Sequence, residues 1–152
     1  MEGDGGSTTT PGRLWQLPSW LLARAALHAQ RLTAGRLDVL GMRRQHFAVL
    51  GALADHGASS QADLGRRLSI DRSDMAAVVS DLERGGLVQR SRDPDDLRRN
   101  LVAINPAGIF ALRQLAAHIS AAEEDLLAPL TPVERSELTR LLARLVDHHG
   151  AG

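Results

Sequence analysis

Arginine side chains offer the most usable chemistry in this sequence, and six of them lie between residues 72 and 99. A guanidinium group is charged at neutral pH and presents five N–H donors in a planar fork, which suits phosphate oxygens and the edges of bases. The same group also pairs with carboxylates, and residues 60–105 contain eight acidic residues beside eight arginines. The stretch therefore offers an anion-binding surface or a set of internal ion pairs, and both stay open for each arginine.

Two short helices are predicted to position part of this surface. Ser60, followed three residues later by Asp63, is typical of a capping box, in which each side chain bonds the other residue's backbone amide. Leu64 and Leu68 lie one helical turn apart and are expected to face a core. Residues 69–71 then break the helix and start another, with the serine or the aspartate of this segment as its cap. The break is long enough only for a turn.

The second helix has one apolar side and one small, flat side. Met75, Val78 and Leu82 recur at three- and four-residue spacing and predict a buried stripe. Two glycines at residues 85 and 86 end the helix, because glycine readily adopts positive φ. The opposite face can enter a nucleic-acid groove without steric obstruction, and its candidate contacts are Arg72, Ser73, Ala76, Ser80 and Arg84.

A charged hairpin follows the second helix. Strand-like runs at residues 87–90 and 101–104 flank a turn-forming segment at residues 93–96. The arginines on or beside this hairpin, which can enter a narrow minor groove or bind phosphate, are Arg90, Arg92, Arg98 and Arg99. The alternative is that aspartates of the turn pair with these arginines and fix the hairpin, and Asp96 is expected to orient Arg98. Helix, turn, helix and hairpin together are the pattern of a winged helix-turn-helix, which binds double-stranded DNA.

A longer motif runs through these elements and consists of Leu64, Leu68, Val78, Leu82, Glu83, Gly86, Leu87, Val88, Arg90, Asp93, Pro94, Asp96, Arg98, Val102, Ile104 and Gly108. With this motif the chain resembles the MarR family of bacterial transcription regulators over roughly residues 15–149. Two positions depart from the family pattern. Leu97 stands where arginine is frequent, which removes one phosphate contact at the wing tip, and Asn105 stands where threonine usually caps the next helix.

The resemblance implies a mainly α-helical fold with a small β-hairpin wing. The winged helix-turn-helix would occupy about residues 43–105, and dimerisation helices about 18–35 and 106–149, all within a domain of residues 13–152. Residues 1–12 are rich in glycine, serine and threonine and are expected to form a disordered tail. The implied function is a ligand-responsive regulator, most often a repressor, that binds a pseudo-palindromic operator as a homodimer.

Residues 41–56, at the start of the winged segment, predict a helix whose buried side is formed by Phe47, Leu50, Leu53 and Ala54.

Apolar helices outside the winged segment favour this dimer. Two further helices after residue 106 carry apolar stripes at Leu112, Leu115, Ile119, Ala122 and Leu126, and at Leu138, Leu141, Leu142, Leu145 and Val146. These stripes exceed what one winged domain needs for its core, so pairing with a second copy about a two-fold axis is expected.

The N-terminal helix, predicted to begin near Pro18, carries most of the candidate effector site. By resemblance, a small aromatic or anionic molecule would bind between the dimerisation helices and the winged domain and change the separation of the two DNA-reading helices. The candidate contacts are Trp20, Arg24, His28 and His46. For Trp20, and for Trp15 before it, a place in the core or in an interface is the alternative.

Composition excludes several other classes of protein. The chain of 152 residues has no formal net charge, so its basic side chains must converge on one face if it binds DNA. The absence of cysteine excludes disulfides, thiolate metal sites and thiol-based sensing. The six histidines lack metal-ligand spacing and no catalytic motif is present, so no metal, cofactor or enzymatic activity is expected. Without an apolar run or a signal peptide, we expect a cytoplasmic protein without membrane contact. A winged-helix module for protein interaction, without a DNA role, is the alternative function.

Overall fold

The structure is a computed structural model that describes residues 11–150. Within this range, seven helices and one antiparallel two-stranded sheet confirm the mainly helical fold with a hairpin wing. The predicted disordered tail at residues 1–12 lies outside the described residues except for its last two, and the first helix begins at Gly12. The elements are α1 (Gly12–Trp15), α2 (Pro18–Asp38), α3 (Arg44–His56), α4 (Gln61–Leu68), α5 (Arg72–Arg84), β1 (Val88–Arg92), β2 (Asn100–Ile104), α6 (Pro106–Leu126) and α7 (Pro132–Gly150).

The core lies where α3 packs against the helix-turn-helix pair α4 and α5. Leu50 and Leu53 of α3, Leu64 of α4, and Met75 and Val78 of α5 are all buried in one cluster. The apolar periodicity of these three helices is thus used as predicted, because each turns its stripe toward the other two. The core fixes the orientation of both helices of the helix-turn-helix.

Both helices of the helix-turn-helix begin at side-chain caps. The Ser60 hydroxyl accepts the backbone N–H of Asp63 at 3.1 Å, and the Asp71 carboxylate accepts that of Asp74 at 2.8 Å. Between the helices, Ser69 has a φ of 54° and ends α4 in the left-handed conformation. The capping box predicted at Ser60 is only half formed among the described residues, because the Asp63 carboxylate binds arginine side chains instead of the Ser60 backbone.

The hairpin extends the helix-turn-helix at one end. Its two strands pair in an antiparallel register with Arg90 opposite Val102. Toward the turn, β1 is two residues longer than predicted and β2 is one residue longer, and β1 begins one residue later than predicted. The backbone of Ser59 exchanges two hydrogen bonds with Val102, at 2.8 and 3.0 Å, which joins the segment before α4 to the hairpin. Gly86, with a φ of 73°, turns the chain from α5 toward β1. The wing is therefore joined to the helix-turn-helix before the start of β1 and at the middle of β2.

The two longest helices, α2 and α6, pack along each other. Leu37 of α2 and Leu115 of α6 belong to the same buried cluster as the helix-turn-helix. On the surface, the Arg36 guanidinium lies 2.7 Å from the Asp125 carboxylate and joins the C-terminal ends of the same two helices. The long helices and the winged segment therefore share one core in this chain.

The two C-terminal helices begin at side-chain caps, the first of them at Asn105 as predicted. Asn105 accepts the backbone N–H of Gly108 at 2.9 Å and donates its side-chain amide to the Gly86 carbonyl at 2.8 Å. Thr131 and Glu134 form a complete capping box, with reciprocal bonds of 2.9 and 3.2 Å. Asn105 thus caps α6 and also connects it to the end of α5.

Two expectations for α3 are wrong. The helix begins at Arg44 instead of Gly41, because Gly41 has a φ of 67° and Arg43 is extended. Ala54 is exposed, and Val49 takes its place on the buried side. The apolar pattern of α3 did not distinguish Val49 from Ala54 as the buried residue. In the structure α3 packs against α5 and α6, and the side of the helix that carries Val49 joins the core.

The apolar stripe predicted for α7 is only partly covered within this chain. Leu138 and Leu142 are half-buried, whereas Leu141, Leu145 and Val146 are 43%, 48% and 69% exposed. Among the described residues of α7 none is buried. The stripe is apolar as predicted, but its own chain does not fully cover it.

A substitution at Gly108 tests the close approach of α6 to the end of α5. A Cβ atom at this position would lie 2.2 Å from the Leu87 carbonyl oxygen and 2.6 Å from Cγ1 of Ile104. The G108A substitution should therefore lower the free energy of unfolding by about 2–3 kcal/mol, measured by urea denaturation. The control is G51A in α3, where a Cβ meets nothing within 4 Å, and it should leave stability equal or raise it by up to about 1 kcal/mol. Equal stability of the two variants would contradict the packing.

Candidate nucleic-acid interface

Helix α5, named the recognition helix from here on, has one buried and one outward side. Met75, Val78 and Leu82 are buried, as predicted. Among residues 11–150, Arg72 at the first position of the helix has no acidic partner. The candidate DNA contacts lie on the outward side, where Arg72, Ser73 and Arg84 are exposed and Ala76 and Ser80 are half-buried.

A concave space, named the junction notch, lies between α4, the start of the recognition helix and the hairpin. Its volume is about 720 Å³, and its lining is Gln61, Ala62, Gly65, Arg66, Ile70, Arg72, Met75, Arg98 and Asn100. Arg72 and Arg98, both predicted from the sequence, meet here. Arg66 was missed, although its place two residues after the buried Leu64 puts it on the outward side of α4.

Aspartates hold the tip of the hairpin in place. Asp96 accepts both the backbone N–H and the Nε of Arg98, at 3.1 and 3.4 Å, which confirms that it orients this arginine. Asp93 accepts the backbone N–H of Asp95 at 2.9 Å and donates its own to the Arg99 carbonyl at 2.9 Å. The Arg98 side chain is 94% exposed, so its pairing with Asp96 leaves most of its donors facing solvent.

Asp63 of α4 connects the turn of the wing to the helix-turn-helix. Its carboxylate binds Arg99 at 3.0 Å and also pairs with Arg66. The Ser60 side chain, and then the charges of Arg66 and Arg99, hold the pKa of Asp63 below its ordinary value. Arg99 therefore pairs with α4 and not with the aspartates of the turn, which sets the position of the wing relative to α4.

The remaining wing arginines differ in their partners. Arg90 donates to the Ser80 hydroxyl at 3.3 Å and lies 3.9 Å from the Glu83 carboxylate, so it contacts the recognition helix. Arg92, at the end of β1, forms no ion pair with any residue that the structure describes. Arg90 thus links the wing to Ser80, a candidate DNA contact on the recognition helix.

Three of the four candidate effector contacts lie on α2. Trp20 is 38% exposed, and Arg24 and His28 are exposed. Their four-residue spacing places them along one stripe of the helix. Trp15, in α1, is 60% exposed, so neither tryptophan belongs to the core of this chain. None of the three α2 residues lines the junction notch.

The fourth candidate, His46, lies inside the protein. Its residue is only 4% exposed. Its Nδ1 accepts the backbone N–H of Arg43 at 2.9 Å, and its Nε2 lies 3.2 Å from the carboxylate of Asp81 on the recognition helix. The α2 candidates are exposed, whereas both ring nitrogens of His46 already have partners.

No group of three histidine, aspartate or glutamate side chains within residues 11–150 is placed to hold a metal ion. In the same part of the chain, no helix combines the length and apolar character that crossing a bilayer requires. Within the described residues, the arginine-lined surface around the junction notch is suited to binding anions such as phosphate.

Sequence comparison agrees with this geometry. Residues 40–99 match the sequence model of the MarR family. The transcriptional repressor NicR of Pseudomonas putida is 33% identical over 101 residues, which are 66% of this chain and 64% of NicR. The chain spans less than two thirds of the length of NicR and of a second curated relative, at 64% and 60%.

Solved structures extend the likeness to most of the chain. A probable transcriptional regulator from Pseudomonas aeruginosa is 36% identical with a TM-score of 0.77, covering 88% of this chain and 99% of that one. BpsR of Bordetella bronchiseptica, whose DNA binding is regulated by 6-hydroxynicotinic acid, is 26% identical with a TM-score of 0.80, covering 91% and 99%. MarR-family transcription regulators are not enzymes. The chain belongs to the MarR family of DNA-binding transcription regulators.

Proposed function

We propose that the protein is a cytoplasmic transcription repressor, which binds a pseudo-palindromic operator as a homodimer and is released by a small aromatic or anionic effector. The observation that carries the proposal is the junction notch, where Arg72 of the recognition helix, Arg98 of the wing and Arg66 of α4 line one concave surface. Guanidinium groups converging in this way suit a phosphate backbone. The repressor NicR supports the direction of regulation.

The recognition helix would enter the major groove with its N-terminal end. There Arg72 and Ser73 can reach base edges, and the small Ala76 permits close approach. The exposed Arg98 would reach the neighbouring minor groove or phosphates from the wing tip. A neutral chain can bind DNA in this way because several acidic residues near the arginines orient them, as Asp96 orients Arg98.

A second copy of the chain is the proposed cover for the apolar side of α7. Leu141, Leu145 and Val146 recur at helical spacing and are 43–69% exposed. Trp15 and Leu22, near the other terminus, are also 60% and 39% exposed. Burying such side chains stabilises association by about 25 cal/mol for each Å² removed from water. A two-fold arrangement would hold two recognition helices roughly 34–36 Å apart, which is one turn of DNA.

The effector would bind beside α2. Trp20 offers an aromatic face, and Arg24 and His28 offer hydrogen-bond donors on the same stripe, which together suit an aromatic acid. BpsR responds to such a molecule, 6-hydroxynicotinic acid. Because α2 shares its core with the helix-turn-helix, an effector that prefers one arrangement of α2 can shift the position of the recognition helix. His46 is buried, which favours a role other than effector binding for that residue.

Replacing Arg72 tests the DNA surface. R72A should weaken binding to the DNA that flanks the protein's own gene by about fivefold to 150-fold, because one arginine contact to DNA contributes about 1–3 kcal/mol. Fluorescence anisotropy with labelled duplex and competitor DNA measures the change. The control is R140A, which removes the same charge from α7, where Arg140 pairs with Glu137. Equal affinity of R72A and R140A would refute the proposed surface.

Replacing Leu145 tests the dimer. L145E places a charge on the exposed apolar side of α7, so it should convert the dimer to a monomer and reduce operator affinity, because one half-site is lost. Size-exclusion chromatography with light scattering gives the mass. V39E is the control, since Val39 is 79% exposed but lies in the turn after α2. A dimeric L145E, or a monomeric unmodified protein, would exclude this interface.

Replacing Trp20 tests the effector site. An aromatic acid, with 6-hydroxynicotinic acid as the first probe, should release the unmodified protein from DNA in the anisotropy assay. W20A should bind DNA within about twofold of the unmodified protein and lose most of this release, because the aromatic contact is removed. W15A should keep the release. Full release from W20A would remove Trp20 from the site.

A further inference from the structure

His46 is a buried histidine whose tautomer is determined by its partners. It occupies the third position of α3 and is 4% exposed. Its Nδ1 faces the backbone N–H of Arg43 at 2.9 Å, and a backbone amide can only donate. Nδ1 therefore carries no proton. The ring is neutral and its single proton lies on Nε2, as in a capping box that uses imidazole in place of a glutamate or glutamine.

The Nε2 proton points to the recognition helix. Nε2 lies 3.2 Å from Oδ2 of Asp81, a residue 35 positions later in the chain. A hydrogen bond from the His46 side chain is the main cause that holds the pKa of Asp81 below its ordinary value, followed by Arg84. His46 thus joins the start of α3 to the middle of the recognition helix with a hydrogen bond of defined direction.

Asp81 passes this constraint to an exposed arginine. Its other oxygen, Oδ1, pairs with Arg84, one turn further along the recognition helix. The Arg43 guanidinium lies 3.6 Å from Oδ2. Arg84 is 77% exposed and has donors left for a phosphate oxygen. The polar partners of the His46 ring among the described residues are the Arg43 amide and the Asp81 carboxylate, and the Arg43 and Arg84 side chains in turn pair with Asp81.

We propose that His46 is a positioning residue for DNA binding, which acts through Asp81 to hold the Arg84 guanidinium at the DNA surface. The inference rests on the proposed function, since it assigns Arg84 a contact with DNA. Without the Nε2 donor, the Asp81 carboxylate loses its fixed partner and Arg84 loses the orientation that Asp81 gives it. The hydrogen-bonded series is the Arg43 amide, His46, Asp81 and Arg84, and it crosses from α3 to the recognition helix.

A double-mutant cycle on DNA affinity tests the inference. H46L places an apolar side chain in the buried position and removes both the hydrogen-bond acceptor and the donor of the imidazole. It should weaken DNA binding by about threefold to tenfold. R84A should weaken binding at least as much. In the R84A background, H46L should cause no further loss beyond about twofold, because the group it positions is already absent. A merely structural role would give the same loss in both backgrounds, and that result would overturn the proposal.

The conservative variant H46Q supplies the control. A glutamine amide has an acceptor for the Arg43 N–H and a donor for Asp81, so H46Q should bind DNA within about twofold of the unmodified protein. H46Q binding as weakly as H46L would assign the effect to ring packing and overturn the hydrogen-bond series. If the unmodified protein bound DNA and R84A weakened binding while H46L did not, this inference would fail and the proposed function would stand. No DNA binding by the unmodified protein would overturn both.

The tautomer can be measured without any variant. In the unmodified, nitrogen-15-labelled protein at pH 7, the imidazole nitrogen shifts of His46 should show a protonated Nε2 and an unprotonated Nδ1. The opposite tautomer, or a doubly protonated ring, would overturn the proposal even if H46L failed to fold.

Discussion

The recognition helix can present its arginines because its other side is held in the core. Met75, Val78 and Leu82 pack between α3, α4 and the hairpin. Rotating the helix about its axis would expose all three, at a cost of about 1.5–3 kcal/mol for each large side chain. This constraint determines which residues face outward. The position of the wing follows from it too, since Gly86 and Asn105 connect the end of the same helix to the hairpin and to α6.

Charge in this protein is arranged locally. The chain has no formal net charge, yet several acidic residues beside the proposed DNA surface pair with an arginine, as Asp63 does with Arg99 and Asp96 does with Arg98. Exposed ion pairs of this kind contribute little to stability, so their main effect here is orientation. A DNA phosphate can then bind guanidinium groups that are already close to their final positions, which reduces the ordering cost of association.

Local signals in the sequence predicted much of this structure, whereas contacts between distant segments were not predictable. Ser60 and Asn105 were predicted as caps, and Asp71 as one of two alternatives, because a cap depends on residues only two or three positions away. The partnership of His46 with Asp81 joins residues 35 positions apart, and an imidazole on α3 has the same sequence pattern whether it faces a ligand or a carboxylate.

The apolar stripe of α7 shows a second limit. Periodicity identifies the apolar side of a helix, but it does not reveal whether the same chain or another copy covers that side. The sequence therefore assigns Leu145 to an apolar stripe that a second copy is expected to cover, and within one chain this residue is half exposed. The junction notch was missed for a related reason, because it exists only once α4, the recognition helix and the wing are folded together.

Hydroxyl-radical footprinting of the DNA that flanks the protein's own gene tests the central claim most directly. Two recognition helices in a two-fold dimer should protect two symmetric segments whose centres lie about 10 base pairs apart, each with an adjoining protected stretch where the wing contacts the backbone. A folded, dimeric protein that protected no segment, or only one without symmetry, would contradict the account.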